Sequence, residues 1–320
     1  MKKIAIITLS ILILWSCGNS TQKEEISENE IIIFSAGSLA IPLKEMAKHY
    51  QNSNPEIEIK FEFSGSRTAA RKVSDLHKSC DIVASADYAV IDNLLIPEFT
   101  DWNIHFASNE MAIAFTPKSK YANAINSDNW YEIMAKEDVH FGRSDPNSDP
   151  CGYRTVLTLK LAENFYQKEG LAKSLLAKDN EYIRPKETDL LALLESGTID
   201  YVFIYKSITK QHHLKSIVLP DSISLKLASL KAYYQSVEVS ISGKKPGKSI
   251  IKKGEPMIYG VTILKNAPHR EKALDFLQFM LGEKGRIIID HNGQTPLIPS
   301  STSTFDKVPD ILKPFARPLR

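Results

Sequence analysis

Short apolar runs that end in small polar residues and hand over to helix-spaced segments recur along this chain, and that alternation points to an α/β fold. Ile31-Ile32-Ile33-Phe34 closes on Ser35-Ala36-Gly37-Ser38, after which Leu39, Leu43, Met46, Ala47 and Tyr50 share one helical side. Residues 56–63 alternate polar with apolar and end in Ser64-Gly65-Ser66, where Ser66 is placed to cap a helix through 68–76. Asp81-Ile82-Val83-Ala84 is a third strand, followed by Ser85-Ala86-Asp87 and a helix over 88–95. The pattern resumes with a strand at 139–142, a loop at 143–150 and a helix from about 152 to 166. A helix at 186–195 stopped by Gly197, a strand at 199–204 and a short helix at 207–212 follow. Residues 257–264 predict an apolar strand, and 268–281 a helix with Ala273, Phe276, Leu277 and Met280 at helical spacing.

At 320 residues the chain is long for one domain and comfortable for two. Two α/β lobes are expected: 31–112 joined by 258–320, and 113–257. Each holds a mixed sheet flanked by helices. The Gly/Lys-rich stretch 242–254 reads as an exposed hairpin or loop. A net charge of +2 gives no field of the kind that marks a nucleic-acid binder. A small anion needs only local donors and stays open.

The start of the chain reads as an export signal. Met1-Lys2-Lys3 is basic, and 4–15 is apolar apart from Thr8 and Ser10, too short a run to suit a membrane span. Leu14-Trp15-Ser16-Cys17 resembles the lipobox of bacterial lipoproteins, with Trp15 a departure from its stricter form. Cleavage before a lipidated Cys17 would leave 18–30 as a solvated tether rich in Glu, Ser and Asn. An exported compartment permits a disulfide between Cys80 and Cys151, and spacing alone does not decide it.

Several polar turns sit where a strand passes into a helix: Ser35 to Ser38, Ser64 to Ser66, Ser85 to Asp87, and the loop from Asp145 to Tyr153. Ligands in open α/β sheets bind beyond the carboxyl ends of strands, where helix N-termini present unpaired amides. Each turn alone has a plain explanation as a cap. Asp149 before Pro150 is an ordinary helix start, and Glu187 in a first helical turn is an ordinary dipole partner.

Longer motifs carry a resemblance. Phe34-Ser35-Ala36-Gly37-Ser38-Leu39, Asp149-Pro150-Cys151-Gly152-Tyr153-Arg154, Arg184-Pro185-Lys186-Glu187-Thr188-Asp189-Leu190, the run from Ile199 to Ser207 and Tyr259-Gly260-Val261-Thr262-Ile263-Leu264-Lys265-Asn266-Ala267-Pro268 resemble, in order, the archaeal-type tungstate/molybdate-binding proteins of ABC importers. The resemblance covers about 31–293. Between the Asp-Pro-Cys-Gly and Arg-Pro-Lys-Glu motifs this chain is shorter than the archaeal members, with Asp149 and Glu187 only 38 positions apart. The resemblance implies a type II periplasmic-binding-protein fold with ligand between the lobes. It implies a binding protein without cofactor and not an enzyme. Permease and ATPase subunits are the expected partners of a monomeric chain, and the lipobox, if cut, would attach it to a bacterial membrane through Cys17. The oxyanion would meet Ser38, the Leu39 amide, Ser66, Asp149, the Pro150-Cys151 backbone, Glu187 and Tyr205. Asp149 and Glu187 would bond the metal itself, with Asp145 the other acid available in the first loop. Molybdate and tungstate, near-equal in size and charge, are not ranked.

Two carboxylates against a dianion make sense only if their oxygens reach the metal, because buried like charges repel. Hard, high-valent molybdenum and tungsten favour oxygen donors. They can expand from four oxygens toward octahedral coordination, a route closed to sulfur in sulfate and phosphorus in phosphate. Other readings stay open. Phosphate or sulfate would not need both acids, ferric iron would use a tyrosine pair such as Tyr233-Tyr234, and a hydrolase would have to recruit His212-His213. No nucleophile elbow, HExxH or phosphate-loop pattern supports the last.

Overall fold

The computed structural model describes residues 28–245 and 247–319. The signal and lipobox at 1–17, and nearly all of the tether at 18–30, lie outside the described residues. Strand β1 (Glu30–Ala36) is buried along almost its whole length, as a strand covered on both faces must be. It pairs in parallel with β2 (Glu58–Ser64) and β3 (Ile82–Ser85). Strand β2 lies at the sheet edge, where its outward Lys60 pairs with Glu30 at 2.5 Å and discourages edge-to-edge association.

The strands that follow divide mainly between two sheets. Strand β4 (Ile104–Ser108) stays in the first, and β5 (Met111–Phe115) opens the second, so the chain crosses at Asn109-Glu110. The second sheet adds β6 (Phe141–Ser144), β7 (Ile183–Arg184), β8 (Tyr201–Tyr205) and β9 (Lys215–Val218). A hairpin of β10 (Glu238–Ser242) and β11 (Ser249–Lys253) follows. The chain then returns as β12 (Ile258–Ile263), with β13 (Thr295–Pro296) at the far edge.

The two sheets share one plan. The first runs β13-β4-β12-β3-β1-β2 and the second β7-β6-β8-β5-β9. In each, the strand delivered by a crossing from the other lobe, β12 or β5, inserts antiparallel between two others. The two-lobed α/β architecture expected from the sequence is the one observed.

Helices cover the sheets through their apolar stripes. Helix α1 (Ala40–Gln51) buries Leu43, Met46, Ala47 and Tyr50, and each such large side chain removed from water contributes about 1.5–3 kcal/mol. Helix α2 (Ser66–Ser74) buries Ala69, Ala70 and Val73, and α3 (Tyr88–Leu94) buries Val90, Ile91 and Leu94.

Some local expectations are corrected. Gly65, not Ser66, occupies the cap position of α2, and the Ser66 hydroxyl accepts from the Ala86 amide at 2.9 Å. The strand expected at 139–142 is shifted to 141–144, where pairing with β8 and β7 sets it. The segment at 186–195 opens as a 3-10 turn, Glu187–Leu190, before becoming helical at Leu191. The pairing of Cys80 with Cys151, which the sequence leaves open, does not form: both are free buried thiols.

Candidate functional site

Turns at the carboxyl ends of β1, β2 and β3 meet those after β6, β7 and β8. The two walls approach so closely that glycine is required at the contact. A Cβ on Gly65 would lie 2.4 Å from the Ser148 carbonyl oxygen and 3.0 Å from the Asp149 Cβ. One on Gly37 would lie 2.9 Å from Thr188 Oγ1 and 3.4 Å from Glu187 Oε1. Cross-lobe hydrogen bonds run beside them: the Thr68 amide donates to the Ser148 carbonyl at 3.2 Å, and Arg67 Nε to the Asn147 carbonyl at 3.0 Å.

Asp149 and Glu187 face each other within this junction. Both are 1% exposed, and the Glu187 amide donates to Asp149 Oδ2 at 3.2 Å. Asp149 stands at the cap position of the helix Pro150–Tyr166, yet its side chain makes no cap hydrogen bond. With both groups ionised, neither Glu187 oxygen meets a hydrogen-bond donor. Burial raises the Asp149 carboxyl, and burial together with the Asp149 charge pushes Glu187 well above the carboxylate range. Asp145 is engaged elsewhere: its carboxylate accepts from the Asn147 amide at 3.0 Å and the Ser148 hydroxyl at 2.6 Å. Of the two acids in that loop, Asp149 is the one beside Glu187.

Three buried hydroxyls belong to the same turns. Ser38, in the 3-10 turn Gly37–Leu39 that also holds Leu39, accepts from Tyr259 Oη at 3.2 Å. Ser66 accepts from the Ala86 amide, and Tyr205 accepts from Arg154 Nη1 at 3.0 Å. Each oxygen already has a donor, and each hydroxyl keeps its own proton to give. Burial holds the Tyr205 phenol well above its ordinary value, so it stays a donor. Cys151 lies in the first turn of the helix after Pro150, where backbone amides have no partner within the helix. Its thiol donates weakly to the Phe203 carbonyl at 3.7 Å.

Residues 31–295 match the family model described as bacterial extracellular solute-binding protein. The chain belongs to that family. Among its relatives in the family, a molybdate/tungstate-binding protein, WtpA, of Pyrococcus abyssi is 45% identical over 97% of this chain and 96% of its own. WtpA of Thermococcus kodakarensis is 44% identical over 98% and 96%. The resemblance read from the motifs is therefore borne out across the whole solute-binding protein. The periplasmic molybdate-binding protein of Azotobacter vinelandii has a similar fold, with a TM-score of 0.55 at 17% identity over 83% of this chain and 98% of that one.

The alternative constellations in this solute-binding protein do not assemble. Tyr234 is buried, donating to the Asp221 carbonyl at 2.6 Å and accepting from the Leu227 amide, so the Tyr233-Tyr234 pair does not offer two free phenols. His212 and His213 are exposed. Three contributors went unseen in the sequence. Tyr259 sits inside a quoted motif but reads there as strand. Asn109, at the first crossing, donates to Tyr259 Oη at 2.9 Å and Ser207 Oγ at 2.7 Å, and no local pattern marks it. Arg154 closes the Asp-Pro-Cys-Gly motif, where a lone arginine reads as helix surface, although it is 2% exposed.

Proposed function

We propose that this protein is an extracytoplasmic substrate-binding lipoprotein that captures molybdate or tungstate and delivers it to an ABC importer. The observation that carries this reading is the buried Glu187 carboxylate, with no donor for either oxygen when ionised, set against Asp149. An ordinary oxyanion, bound through its oxygens, is repelled by such a pair. An oxyanion whose metal takes additional oxygen ligands gives both carboxylates a partner. In this reading Asp149 and Glu187 bond the metal and carry its coordination toward octahedral. Ser38, Ser66 and Tyr205 donate to the outer oxygens, with the Leu39 amide and the Pro150-Cys151 backbone completing the shell. Discrimination against sulfate and phosphate then follows from repulsion as much as from attraction. The names of the Pyrococcus and Thermococcus relatives support the same cargo.

Calorimetry with molybdate, tungstate, sulfate and phosphate tests this. Binding is expected for the first two and little heat for the others; equal binding of sulfate would overturn the coordination reading. The anchor is tested separately. Mass spectrometry of membrane-extracted protein is expected to find a mature chain beginning at Cys17 and carrying fatty acyl groups. A different start, with an unmodified Cys17, would remove the lipid from the proposal.

A further inference from the structure

We propose that Arg154 is a positioning residue that makes the Tyr205 hydroxyl a ready donor to the cargo only when the cleft is closed; this rests on the function proposed above. The guanidinium sits in the second lobe, on the helix Pro150–Tyr166. Its Nη1 donates at 3.0 Å to Tyr205 Oη, in its own lobe, and at 2.7 Å to the Ala86 carbonyl, in the first. Its Nη2 has no hydrogen-bond partner and stands 3.7 Å from Asp87 Oδ2, also in the first lobe. Ala86 in turn donates its amide to Ser66 Oγ. A single relay therefore joins two hydroxyls of the candidate site, Tyr205 and Ser66, through a cation that bridges the lobes.

The bridge is conditional on closure. A buried guanidinium is tolerated only with partners around it. Here the first lobe supplies two of them, the Ala86 carbonyl and the Asp87 carboxylate. Asp87 is 1% exposed and is also gripped by Lys252 at 3.0 Å and by the Tyr153 hydroxyl. Burial works against the Arg154 charge, but the Tyr205 oxygen that accepts from it and the nearby Asp87 carboxylate outweigh it and keep the group cationic. When the lobes part, Ala86 and Asp87 withdraw and water takes their place, so the guanidinium is no longer fixed against the phenol. When they meet, donation into the Tyr205 oxygen leaves the phenol proton pointing elsewhere and strengthens it as a donor. Lysine reproduces the role poorly, because its flexible ammonium does not hold its donors in the fixed plane in which Nη1 aims one hydrogen at Ala86 and the other at Tyr205.

The test measures tungstate association and dissociation by stopped flow, with small-angle scattering of the same samples. The proteins are the unaltered mature chain, Arg154→Lys, Asp87→Asn, Tyr205→Phe and the Arg154→Lys/Tyr205→Phe double variant. Arg154→Lys is expected to speed dissociation by about tenfold or more while changing association by less than about threefold. Compaction on tungstate addition shrinks in parallel. In the Tyr205→Phe background the same substitution is expected to add less than about twofold, because coupled residues are non-additive. Asp87→Asn keeps the α3 cap, since Asn caps as Asp does, and is expected to give a smaller shift of the same kind. Unchanged dissociation in Arg154→Lys, or full additivity with Tyr205→Phe, overturns the inference. If Arg154→Lys does not fold, Asp87→Asn decides: faster dissociation supports the coupling and an unchanged rate overturns it. No tungstate binding by the unaltered chain overturns the cargo reading and this inference together. Intact binding with unchanged variant kinetics overturns this inference alone.

Discussion

Glu187→Gln is expected to lower affinity for molybdate and tungstate while raising the stability of the empty protein, two effects of opposite sign from one substitution. Gln keeps the shape but removes a charged oxygen donor. A contact to a charged group contributes up to about 3 kcal/mol, so affinity should fall by about two orders of magnitude. Selectivity over sulfate should fall with it. In the empty closed protein the same carboxylate is buried beside Asp149 without a donor, so its removal relieves about 1–3 kcal/mol. At roughly 2–4 °C per kcal/mol for domains of this size, differential scanning should register the gain.

The pH dependence has a definite sign. The Glu187 carboxyl is raised on folding by burial and by Asp149, so the folded state holds a proton more tightly than the unfolded one. Stability therefore falls as pH rises from the ordinary value near 4.5 through the raised one. The advantage of Glu187→Gln should be absent below that window and grow across it. A gap that is constant with pH would show that the carboxylate is not buried in the way described.

The second large effect is expected from Gly65→Ala. The backbone there, at φ −60° and ψ 140°, suits alanine, so the isolated lobe should lose nothing and the substitution is mildly stabilising by about 0.4–1 kcal/mol. The added methyl instead strikes the other lobe, 2.4 Å from the Ser148 carbonyl oxygen and 3.0 Å from the Pro185 one. These are backbone atoms and cannot swing aside. Apparent affinity scales with the fraction of molecules able to close, so a wedge leaving about 1% closed weakens binding about 100-fold. Scattering should show no compaction on ligand addition, while circular dichroism finds both lobes still folded. Wild-type affinity would show that the lobes need not approach this closely to hold the ligand.

The fold was legible where periodicity and length agree. The run Ile31 to Phe34, the stripe of Leu43, Met46 and Tyr50, and the late strand before Pro268 all fell where their patterns put them. The crossing at Asn109-Glu110 was less legible, because β4 and β5 are separated by only two residues and nothing local marks a change of sheet. The site was legible in part. The motifs indicate Asp149 and Glu187, and the structure places them side by side. Neither the spacing nor the residue types reveal that Ser66 is held by an amide from the next strand-helix turn, or that Arg154 reaches across the cleft. Such contacts join segments dozens of residues apart, and their geometry exists only after the lobes have formed.

The position of β12 has a consequence for when the molecule becomes competent. This strand separates β3 from β4 in the six-stranded sheet, so the two flanks of the first lobe share no backbone ladder until residues 258–263 arrive. In an exported chain that emerges N-terminus first, Ser38 and Ser66 reach the far side early but lack the scaffold that holds them in register. Nearly the whole polypeptide must therefore emerge before the first sheet is complete. Under the function proposed above, cargo would then be taken up only after export, in the compartment where the protein works.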